Sequence, residues 1–153
     1  QQVTRLPLEV QNFAVAPDGQ HLALALEVFV DCGELACTQK RLDERTASKA
    51  SGLDFQSVFI RHWDTWADGR RSHVFVVPLS GGDPVDVMKA MDADSPSKPF
   101  GGSEEYVFTP DDKAIVFGAR DRLIPAAEAE QLAAETDARA EEAVAGKSRA
   151  HGE

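Results

Sequence analysis

The sequence predicts a mainly β protein made of antiparallel strands, with a short helix inserted among the strands and an α-helix at the C-terminus. Three observations predict this class. A hairpin pattern occurs twice along the chain, further alternating apolar runs lie between its two copies, and an Ala- and Glu-rich stretch follows residue 120. Runs rich in Val, Ile and Phe are typical of strands, whereas alanine and glutamate favour helices.

The repeated pattern is an apolar run, a Pro-Asp turn and a second apolar run. The first copy reads F-A-V-A-P-D-G-Q-H-L-A-L-A-L from Phe13, and the second reads Y-V-F-T-P-D-D-K-A-I-V-F-G from Tyr106. Proline presets the first central dihedral angle of a tight turn, and Asp or Gly tolerates the angles that follow. Each copy therefore predicts two strands joined by a turn.

The spacing of the two copies predicts part of a β-propeller. Pro17 and Pro110 are 110 − 17 = 93 residues apart, and half of this interval, about 46, is close to the ~40–45 residues of a four-stranded blade. Residues 1–120 would then form about two to three blades. Because a propeller needs about four to eight blades to close, we expect the chain to be part of a longer polypeptide. Two unrelated hairpins in a β-sandwich are the alternative.

Between the two copies, local pattern predicts a helix, a further hairpin and a loop. Strand-like runs on either side of an Asp-Gly pair indicate a hairpin, and glycine often follows a helix end. The expected elements are a lead-in strand within Val3–Val15, a mostly exposed helix from Thr38 to Ala50 ended at Gly52, a hairpin of Ser57–Trp63 with Ser72–Leu79 turning at Asp68-Gly69, a turn at Gly81-Gly82, and a loop from Ala93 to Gly102.

Residues 121–153 are predicted to be a separate helical tail. Pro125 opens an Ala- and Glu-rich run that continues to Ala145 and is followed by Gly146. Proline suits the first helical position, and acidic side chains in the first turns interact favourably with the helix dipole. Because most apolar positions of this run are alanine, the predicted helix offers only a thin packing stripe.

The charge and hydropathy of the chain bear on its partners and location. The formal net charge is −10 at pH 7, whereas nucleic-acid binding depends on neutralising phosphates with Lys and Arg, so we expect no nucleic-acid partner. No run approaches the ~18 apolar residues needed to span a bilayer, so we expect no membrane partner. The first residues have no basic start and no apolar targeting core, which leaves a cytoplasmic protein or an exported, mature one.

Cys32 and Cys37 are the two cysteines of the chain. Four residues separate them, which is wider than the Cys-x-x-Cys of redox sites, and no second pair completes a zinc site. A local disulfide is the interpretation for an exported protein, and two reduced, packed thiols are the alternative. The spacing alone does not distinguish them.

The candidate catalytic residues are Asp121 and His151. The stretch G-A-R-D-R-L-I-P is typical of the strand end that carries the aspartate of a hydrolase triad, and His151 follows Asp121 by 151 − 121 = 30 residues. A serine hydrolase also needs a nucleophile in G-x-S-x-G, and the chain contains no such motif. A strand end followed by a proline-capped helix is therefore the alternative.

The candidate substrate-binding residues are Arg61 and His62, because a histidine between Arg61 and Trp63 is a candidate ligand or a candidate contact for a peptide carboxylate. Packing of His62 beside Trp63 is the alternative, and we interpret Trp63 and Trp66 as packing residues. Four acids lack the regular spacing of a calcium loop and are interpreted as solvated loop acids, so we expect no metal and no cofactor. These acids are Asp92, Asp94, Glu104 and Glu105.

Three segments carry a resemblance to a known family. They are F-I-R-H-W-D-T-W-A-D-G from Phe59, H-V-F-V-V-P-L-S-G-G-D-P from His73 and P-S-K-P-F-G-G-S-E-E-Y-V-F-T-P-D-D-K from Pro96. Over about Val3 to Arg120 the chain resembles the N-terminal propeller of bacterial members of the prolyl oligopeptidase family, in its dipeptidyl or acylaminoacyl peptidase branch.

The resemblance implies a non-catalytic propeller that caps an α/β-hydrolase domain outside this chain. In that family the propeller restricts access to short peptides and helps to bind the N-terminal side of the substrate. The expected partners are therefore a peptide substrate and an α/β-hydrolase domain, and the expected parent protein is a serine exopeptidase. Export of many bacterial members favours a periplasmic or secreted location and the disulfide. A stand-alone propeller-like interaction module without enzymatic activity is the alternative function.

Overall fold

The computed structural model describes residues 3–52, 61–62 and 65–121. In this part the protein is mainly β, with antiparallel sheets and one α-helix. The predicted helix Pro125–Ala145 lies outside the described residues. The elements are β1 (Val10–Val15), β2 (His21–Val28), α1 (Leu35–Ala47), β3 (Arg61–His62), β4 (Thr65–Trp66), β5 (Arg71–Pro78), β6 (Val85–Asp86), β7 (Ala93–Asp94), a 3-10 turn (Ser103–Glu105), β8 (Tyr106–Phe108), β9 (Ile115–Phe117) and β10 (Arg120–Asp121).

The main sheet has four strands in the order β1-β2-β5-β6. β2 and β5 are antiparallel over eight pairs, from His21 opposite Pro78 to Val28 opposite Arg71. Helix α1 and the hairpin β3–β4 lie between β2 and β5 in the chain and form an insertion. This insertion leaves and rejoins the sheet at Val28 and Arg71, which we name the insertion end. Separate two-stranded pairings join β3 to β4, β8 to β9 and β7 to β10.

Both predicted Pro-Asp turns form, and the prediction of two hairpins is confirmed. In each copy the residue before the proline donates its amide to the carbonyl five positions later. Ala16 donates to His21 at 2.9 Å, and Thr109 donates to Ala114 at 2.8 Å. The flanking strands β1 and β2, and β8 and β9, are paired antiparallel.

The two turns have the same backbone conformation and lie side by side. Their equivalent third residues, Gly19 and Asp112, have φ of +65° and +58°, a region that glycine and aspartate enter at low cost. The Asp112 carboxylate also accepts a hydrogen bond from the Asp18 amide at 3.2 Å. The two copies of the pattern, 93 residues apart in the sequence, are therefore neighbours in space.

The first hydrophobic core lies between the main sheet and the β8–β9 pair. The main sheet contributes alanines that we name its small face, and the β8–β9 pair contributes larger side chains. The small face is Ala14, Ala16, Ala23 and Ala25, and the side chains packed with it are Tyr106, Phe108, Ile115 and Phe117 together with Val74, Met88 and Ala93. Small residues opposite large ones allow the two sheets to interdigitate.

The second core lies on the opposite face of the main sheet. Leu24, Leu26 and Phe75 are buried there. Leu6, Leu8 and Val10 of the first segment and Leu35 and Leu42 of α1 complete this core. The first segment thus packs on this face of the sheet before it enters β1. Strand β1 begins at Val10, whereas the sequence predicted a lead-in strand from Val3. The helix covers Leu35–Ala47 and not Thr38–Ala50, and it ends at Ser48, whose backbone is extended, so Gly52 does not end it.

The predicted hairpin between the strand before Asp68-Gly69 and the strand after it is wrong. β5 pairs along its whole length with β2 on one side and pairs with β6 on the other, while Arg61–His62 pairs with Thr65–Trp66. Pairing with β2 places Val74 in the first core and Phe75 in the second, and a local hairpin offers no comparable burial. Gly69 has the positive φ expected of it, +90°, but its turn leads from the insertion into β5. Residues 57–60 lie outside the described part.

The predicted turn at Gly81-Gly82 is confirmed, whereas the loop from Ala93 to Gly102 is partly wrong. Both glycines have positive φ, and the turn joins β5 to β6. The loop begins with a short strand, Ala93–Asp94, whose two residues are buried.

Candidate functional site

The insertion end of the main sheet carries an extended cluster of charged side chains. Glu27, at the end of β2, forms ion pairs with Arg70 Nη2 at 2.9 Å and with Lys98 Nζ at 2.6 Å. Arg70 Nε is also 2.6 Å from an Asp68 carboxylate oxygen. Glu27, Arg70 and Lys98 are each about one quarter to one third exposed. These contacts join the main sheet, the insertion and the loop after β7.

Asp94 continues the same cluster and is a buried acid, so its interpretation as a solvated loop residue is wrong. It is 2% exposed and accepts a hydrogen bond from the Ser72 amide at 2.9 Å. Arg71 Nη1 lies 4.0 Å away and Lys98 Nζ 3.9 Å away. Asp92, which is exposed, pairs with Arg71 Nε at 2.5 Å. Burial of the Asp94 carboxylate is tolerated because these cations and the amide partner it.

Glu105 organises the loop that follows this cluster. Its carboxylate accepts hydrogen bonds from the Ser97 amide and hydroxyl, both at 2.7 Å. Gly101 donates its amide to the Ser97 carbonyl at 2.7 Å, and a Cβ on Gly101 would lie 2.5 Å from Ser97 backbone atoms. Glu105 is therefore also a structural acid, whereas Glu104 is exposed. The P-S-K-P-F-G-G segment is thus a tightly folded loop.

A groove of about 370 Å³ lies beside Glu27 and Arg70. Its walls come from the first segment, the end of β2 and helix α1. The lining residues are Pro7, Leu8, Glu9, Gln11, Glu27, Gln39, Leu42 and Arg70. The volume is at the lower end of the ~300–1,000 Å³ typical of ligand sites. The mixture of leucine, amide and charged groups suits a small polar ligand portion.

The hairpin β3–β4 presents the candidate residue Arg61 together with Trp66. The two residues are paired across the hairpin, and the Arg61 guanidinium carbon lies 5.3 Å from the Trp66 ring centroid. Trp66 is 47% exposed, so its interpretation as a packing residue is wrong. Stacked arginine and tryptophan side chains are the kinds that dominate binding surfaces. The side chain of His62 and the whole of Trp63 lie outside the described residues.

Helix α1 is anchored to the main sheet beside the groove. Phe29, directly after β2, lies between the guanidinium groups of Arg41 and Arg45, at 4.4 and 4.7 Å from its ring centroid. Arg41 also donates a bidentate pair of hydrogen bonds, from Nη1 and Nη2, to the two carboxylate oxygens of Asp31, each at 2.9 Å. This bond lowers the pKa of Asp31 and raises that of Arg41.

Cys32 and Cys37 are bonded as a disulfide in the structure, with their Cα atoms 5.6 Å apart. The bond joins the segment after β2 to the first turn of α1. One residue further on, Thr38 is fully buried and its hydroxyl accepts a hydrogen bond from the Phe29 amide at 3.2 Å. The start of the insertion is thus held by one covalent and several polar contacts.

A buried His–Asp pair was missed by the sequence analysis. His73 is fully buried in β5, with Nδ1 at 2.9 Å from Asp86 Oδ2 and Nε2 at 3.0 Å from the Met91 carbonyl. Both ring nitrogens are therefore occupied by protein acceptors, and neither is left to activate a nucleophile. The pair links β5 to β6 and to the segment before β7. The sequence signal for it is a histidine that directly precedes the apolar run Val74–Val77 of β5.

The candidate catalytic residues Asp121 and His151 remain a prediction, because His151 and the side chain of Asp121 lie outside the described part of the chain. Within residues 3–52, 61–62 and 65–121, no group of three or more His, Cys, Asp or Glu side chains is arranged to hold a metal ion. Over the same residues, no helix has the length and apolar character that crossing a bilayer requires.

Comparison with curated proteins finds local similarity to dipeptidyl peptidases. It is 30% identical over 93 residues to dipeptidyl-peptidase 5 of Aspergillus fumigatus, covering 54% of this chain. It is 27% identical over 123 residues to dipeptidyl-peptidase 5 of Porphyromonas endodontalis, covering 78% of this chain. It is 24% identical over 137 residues to dipeptidyl-peptidase 4 of Giardia intestinalis, covering 76%.

The matched region is a small part of each relative. The chain spans 13% of the Aspergillus protein, 17% of the Porphyromonas protein and 18% of the Giardia protein. No protein-family model and no solved structure matches the chain. The similarity supports a relation to dipeptidyl peptidases.

Proposed function

We propose that the chain is a non-catalytic β-propeller segment of a serine exopeptidase of the prolyl oligopeptidase family, of the dipeptidyl-peptidase type. It gates the access of short peptides and helps to bind them, and an α/β-hydrolase domain elsewhere in the polypeptide hydrolyses them. The similarity to dipeptidyl peptidases over more than half of the chain carries this proposal. The small share of each relative that it spans, and the absence of G-x-S-x-G from the sequence, favour a non-catalytic part.

The arrangement of the two repeats supports the propeller. A blade is a four-stranded antiparallel sheet, and successive blades follow one another around a ring. The order β1-β2-β5-β6 has this form, with an insertion between its second and third strands. The next sheet begins with the same Pro-Asp turn and packs on the small face of the first. In this proposal β8 and β9 are the first two strands of a second blade.

The insertion supports the peptide-binding role. Arg61 offers a cation to the carbonyl or carboxylate oxygens of a peptide, and the exposed Trp66 ring offers an apolar surface beside it. His62 adjoins them in sequence and is proposed to contribute. Disulfide and arginine contacts hold the other half of the insertion at the same end of the sheet. The insertion therefore loses little conformational freedom when a peptide binds. The disulfide also suits the proposed periplasmic or secreted location.

The proposal is tested by comparing the 153-residue chain with the longer polypeptide from the same gene. The chain alone should release no dipeptide from a fluorogenic dipeptidyl amide and should not react with a fluorophosphonate. The longer polypeptide should contain a downstream G-x-S-x-G segment and should do both. A gene without that segment, or fluorophosphonate labelling of the chain alone, would refute the proposal. Labelling of the chain alone would instead favour a hydrolase that relies on Asp121 and His151.

The peptide-binding role has its own variants. In the longer polypeptide, Trp66→Ala and Arg61→Ala should each raise KM for peptide amides by about tenfold, the effect of losing ~1.4 kcal/mol. Reaction with the small fluorophosphonate should not change, because it does not need the propeller. Phe100→Ala, at another exposed aromatic residue, is the matched control. A stand-alone interaction module, the alternative function, predicts binding of a partner by the 153-residue chain with no hydrolase domain in the gene.

A further inference from the structure

A series of ion pairs fixes the turn that joins the insertion to β5. The Glu27 carboxylate is shared between two cations, with Oε2 at 2.9 Å from Arg70 Nη2 and Oε1 at 2.6 Å from Lys98 Nζ. Arg70 in turn donates its backbone amide and its Nε to the Asp68 carboxylate, at 3.1 and 2.6 Å. These contacts link four residues in series, which we name the Glu27 bridge: Lys98, Glu27, Arg70 and Asp68.

The Glu27 bridge ends next to the hairpin β3–β4. Asp68 follows the exposed Trp66 by two residues, and two residues span at most ~7 Å. The Asp68 carbonyl also accepts a hydrogen bond from Arg45 Nη1 of α1 at 2.8 Å, so both halves of the insertion meet at this residue. The position of Asp68 therefore limits where the Trp66 ring and its stacking partner Arg61 lie.

The main sheet does not depend on the Glu27 bridge for its own pairing. β2 and β5 are joined by eight antiparallel pairs, in which Glu27 lies opposite Ser72. Glu27, Arg70 and Lys98 are all partly exposed, and ion pairs that water reaches contribute little to overall stability. Loss of the bridge should therefore leave the sheet folded and release mainly the turn at residues 68–70.

Lys98 lies in a loop that is itself held in place. Glu105 accepts hydrogen bonds from the amide and the hydroxyl of Ser97, both at 2.7 Å, and the Ser97 carbonyl accepts one from the Gly101 amide at 2.7 Å. The Lys98 ammonium group also lies 3.9 Å from the buried Asp94 carboxylate. A residue that positions others does so best when contacts of this kind lock its own conformation.

We infer that Glu27 and Lys98 are positioning residues for peptide binding. They hold the turn at residues 68–70, so that the Arg61 and Trp66 side chains are in place before a peptide arrives. A surface that is ordered in advance binds more tightly, because less conformational entropy is lost on binding. The inference rests on the proposed function, and it adds to that function two residues that lie outside the insertion.

The test measures hydrolysis of peptide amides by the longer polypeptide. Glu27→Gln keeps the shape of the side chain and removes its charge. It should raise KM by about three- to fivefold, less than the effect of Trp66→Ala, because the bridge acts through the hairpin. The value of kcat and the rate of reaction with the fluorophosphonate should not change, since the hydrolase domain is intact.

Further variants show whether the charge of the bridge is responsible. Lys98→Met should raise KM as Glu27→Gln does, whereas Lys98→Arg keeps the cation and should keep the wild-type KM. Glu44→Gln is the matched control. It breaks another ion pair of the insertion, between Glu44 and Lys40 on the exposed surface of α1, and should leave KM unchanged.

A second measurement separates positioning from a general weakening of the fold. In a background that carries both Arg61→Ala and Trp66→Ala, Glu27→Gln should change kcat/KM by less than about twofold, because no binding side chain is left to position. The same loss of kcat/KM in this background as in the wild type would overturn the inference. Where Glu27→Gln does not fold, Lys98→Met takes its place in the comparison.

The outcomes distinguish this inference from the proposed function. If Arg61→Ala and Trp66→Ala raise KM while Glu27→Gln and Lys98→Met do not, the inference is wrong and the peptide-binding role of the insertion stands. If Arg61→Ala and Trp66→Ala themselves leave KM unchanged, that role is wrong and the inference falls with it.

Discussion

Replacing Tyr106 with phenylalanine removes a buried hydroxyl and should stabilise the protein at neutral pH. Tyr106 is 2% exposed in the first core, and within the described residues its hydroxyl has no hydrogen-bond partner. An unpaired buried polar group costs about 1–3 kcal/mol, whereas the phenyl ring keeps the packing of the phenol ring. We therefore expect Tyr106→Phe to raise the free energy of unfolding by about 1 kcal/mol at pH 7.

The same substitution should abolish a loss of stability at alkaline pH. Burial, with a smaller contribution from the charge of Glu104, raises the pKa of Tyr106 to about 12, whereas an unfolded chain has an ordinary tyrosine pKa of about 10. Between these values the unfolded state has lost the phenol proton and the folded state still holds it. Stability is therefore fully present below about pH 10 and falls as pH rises towards about 12. At about 1.4 kcal/mol per pH unit, the loss is roughly 2–3 kcal/mol.

Urea unfolding of both proteins between about pH 8 and pH 12 measures this effect, because the other titrating groups are common to the two and cancel in the difference. Tyr106 is the only tyrosine, so the tyrosinate absorbance of the folded protein reports its ionisation directly. Equal pH dependence in wild type and variant would refute the reasoning. So would a folded-state titration at the ordinary pKa of tyrosine, since it would require a hydroxyl that water reaches.

The other predictions concern the insertion and the buried histidine. Gly69→Val should lower the free energy of unfolding by about 1–3 kcal/mol because of its positive φ, while Gly33→Val, with open space around it, should cost no more than ~0.5 kcal/mol; equal losses in urea melts would contradict this. Serine at both Cys32 and Cys37 should cost about 2 kcal/mol and speed tryptic cleavage within α1, and unchanged protection would show that packing alone holds the helix. His73→Phe should cost about 2–4 kcal/mol, because Asp86 and the Met91 carbonyl lose their contacts with a buried ring; a thermal melt like that of the wild type would contradict that role.

Local turn chemistry could be predicted from the sequence, and pairing between distant strands could not. Pro17 and Pro110 mark both hairpins because proline and the residues after it restrict a few consecutive dihedral angles. The strand that pairs with β5 was predicted wrongly because the alternation of apolar and polar residues identifies a strand but does not show which strand it pairs with. β2 offers eight residues of pairing and two buried faces, whereas the strand just before β5 in the described chain has two residues. Burial decided the pairing, and burial depends on the whole sheet.

The charged cluster was missed for a related reason. Glu27, Arg70 and Lys98 belong to three separate stretches of the chain and meet because the insertion leaves and rejoins the sheet at one end. Asp94 was interpreted as a solvated loop acid because it lies in a stretch rich in Pro, Gly, Ser and Asp, yet the amide and one of the cations around it belong to Ser72 and Arg71 of β5. The prediction for Trp66 was wrong in the opposite sense. Its apolar ring suggested burial, but a hairpin with two residues in each strand has too little surface to cover the ring.

The interval between Pro17 and Pro110 carries more information than the number of residues per blade. It also assigns each strand residue of one repeat a counterpart in the other. Combined with strand alternation, it separates a small face, which is alanine in the first repeat, from a large face that carries Phe13 and Val15 in the first repeat and Tyr106 and Phe108 in the second. Because the large face of the second repeat packs on the small face of the first, the same rule identifies Phe13 and Val107 as the residues left over at the two ends. In the proposed propeller, further blades of the longer polypeptide would continue this stacking, with a small face opposite Phe13 and a large face opposite Val107.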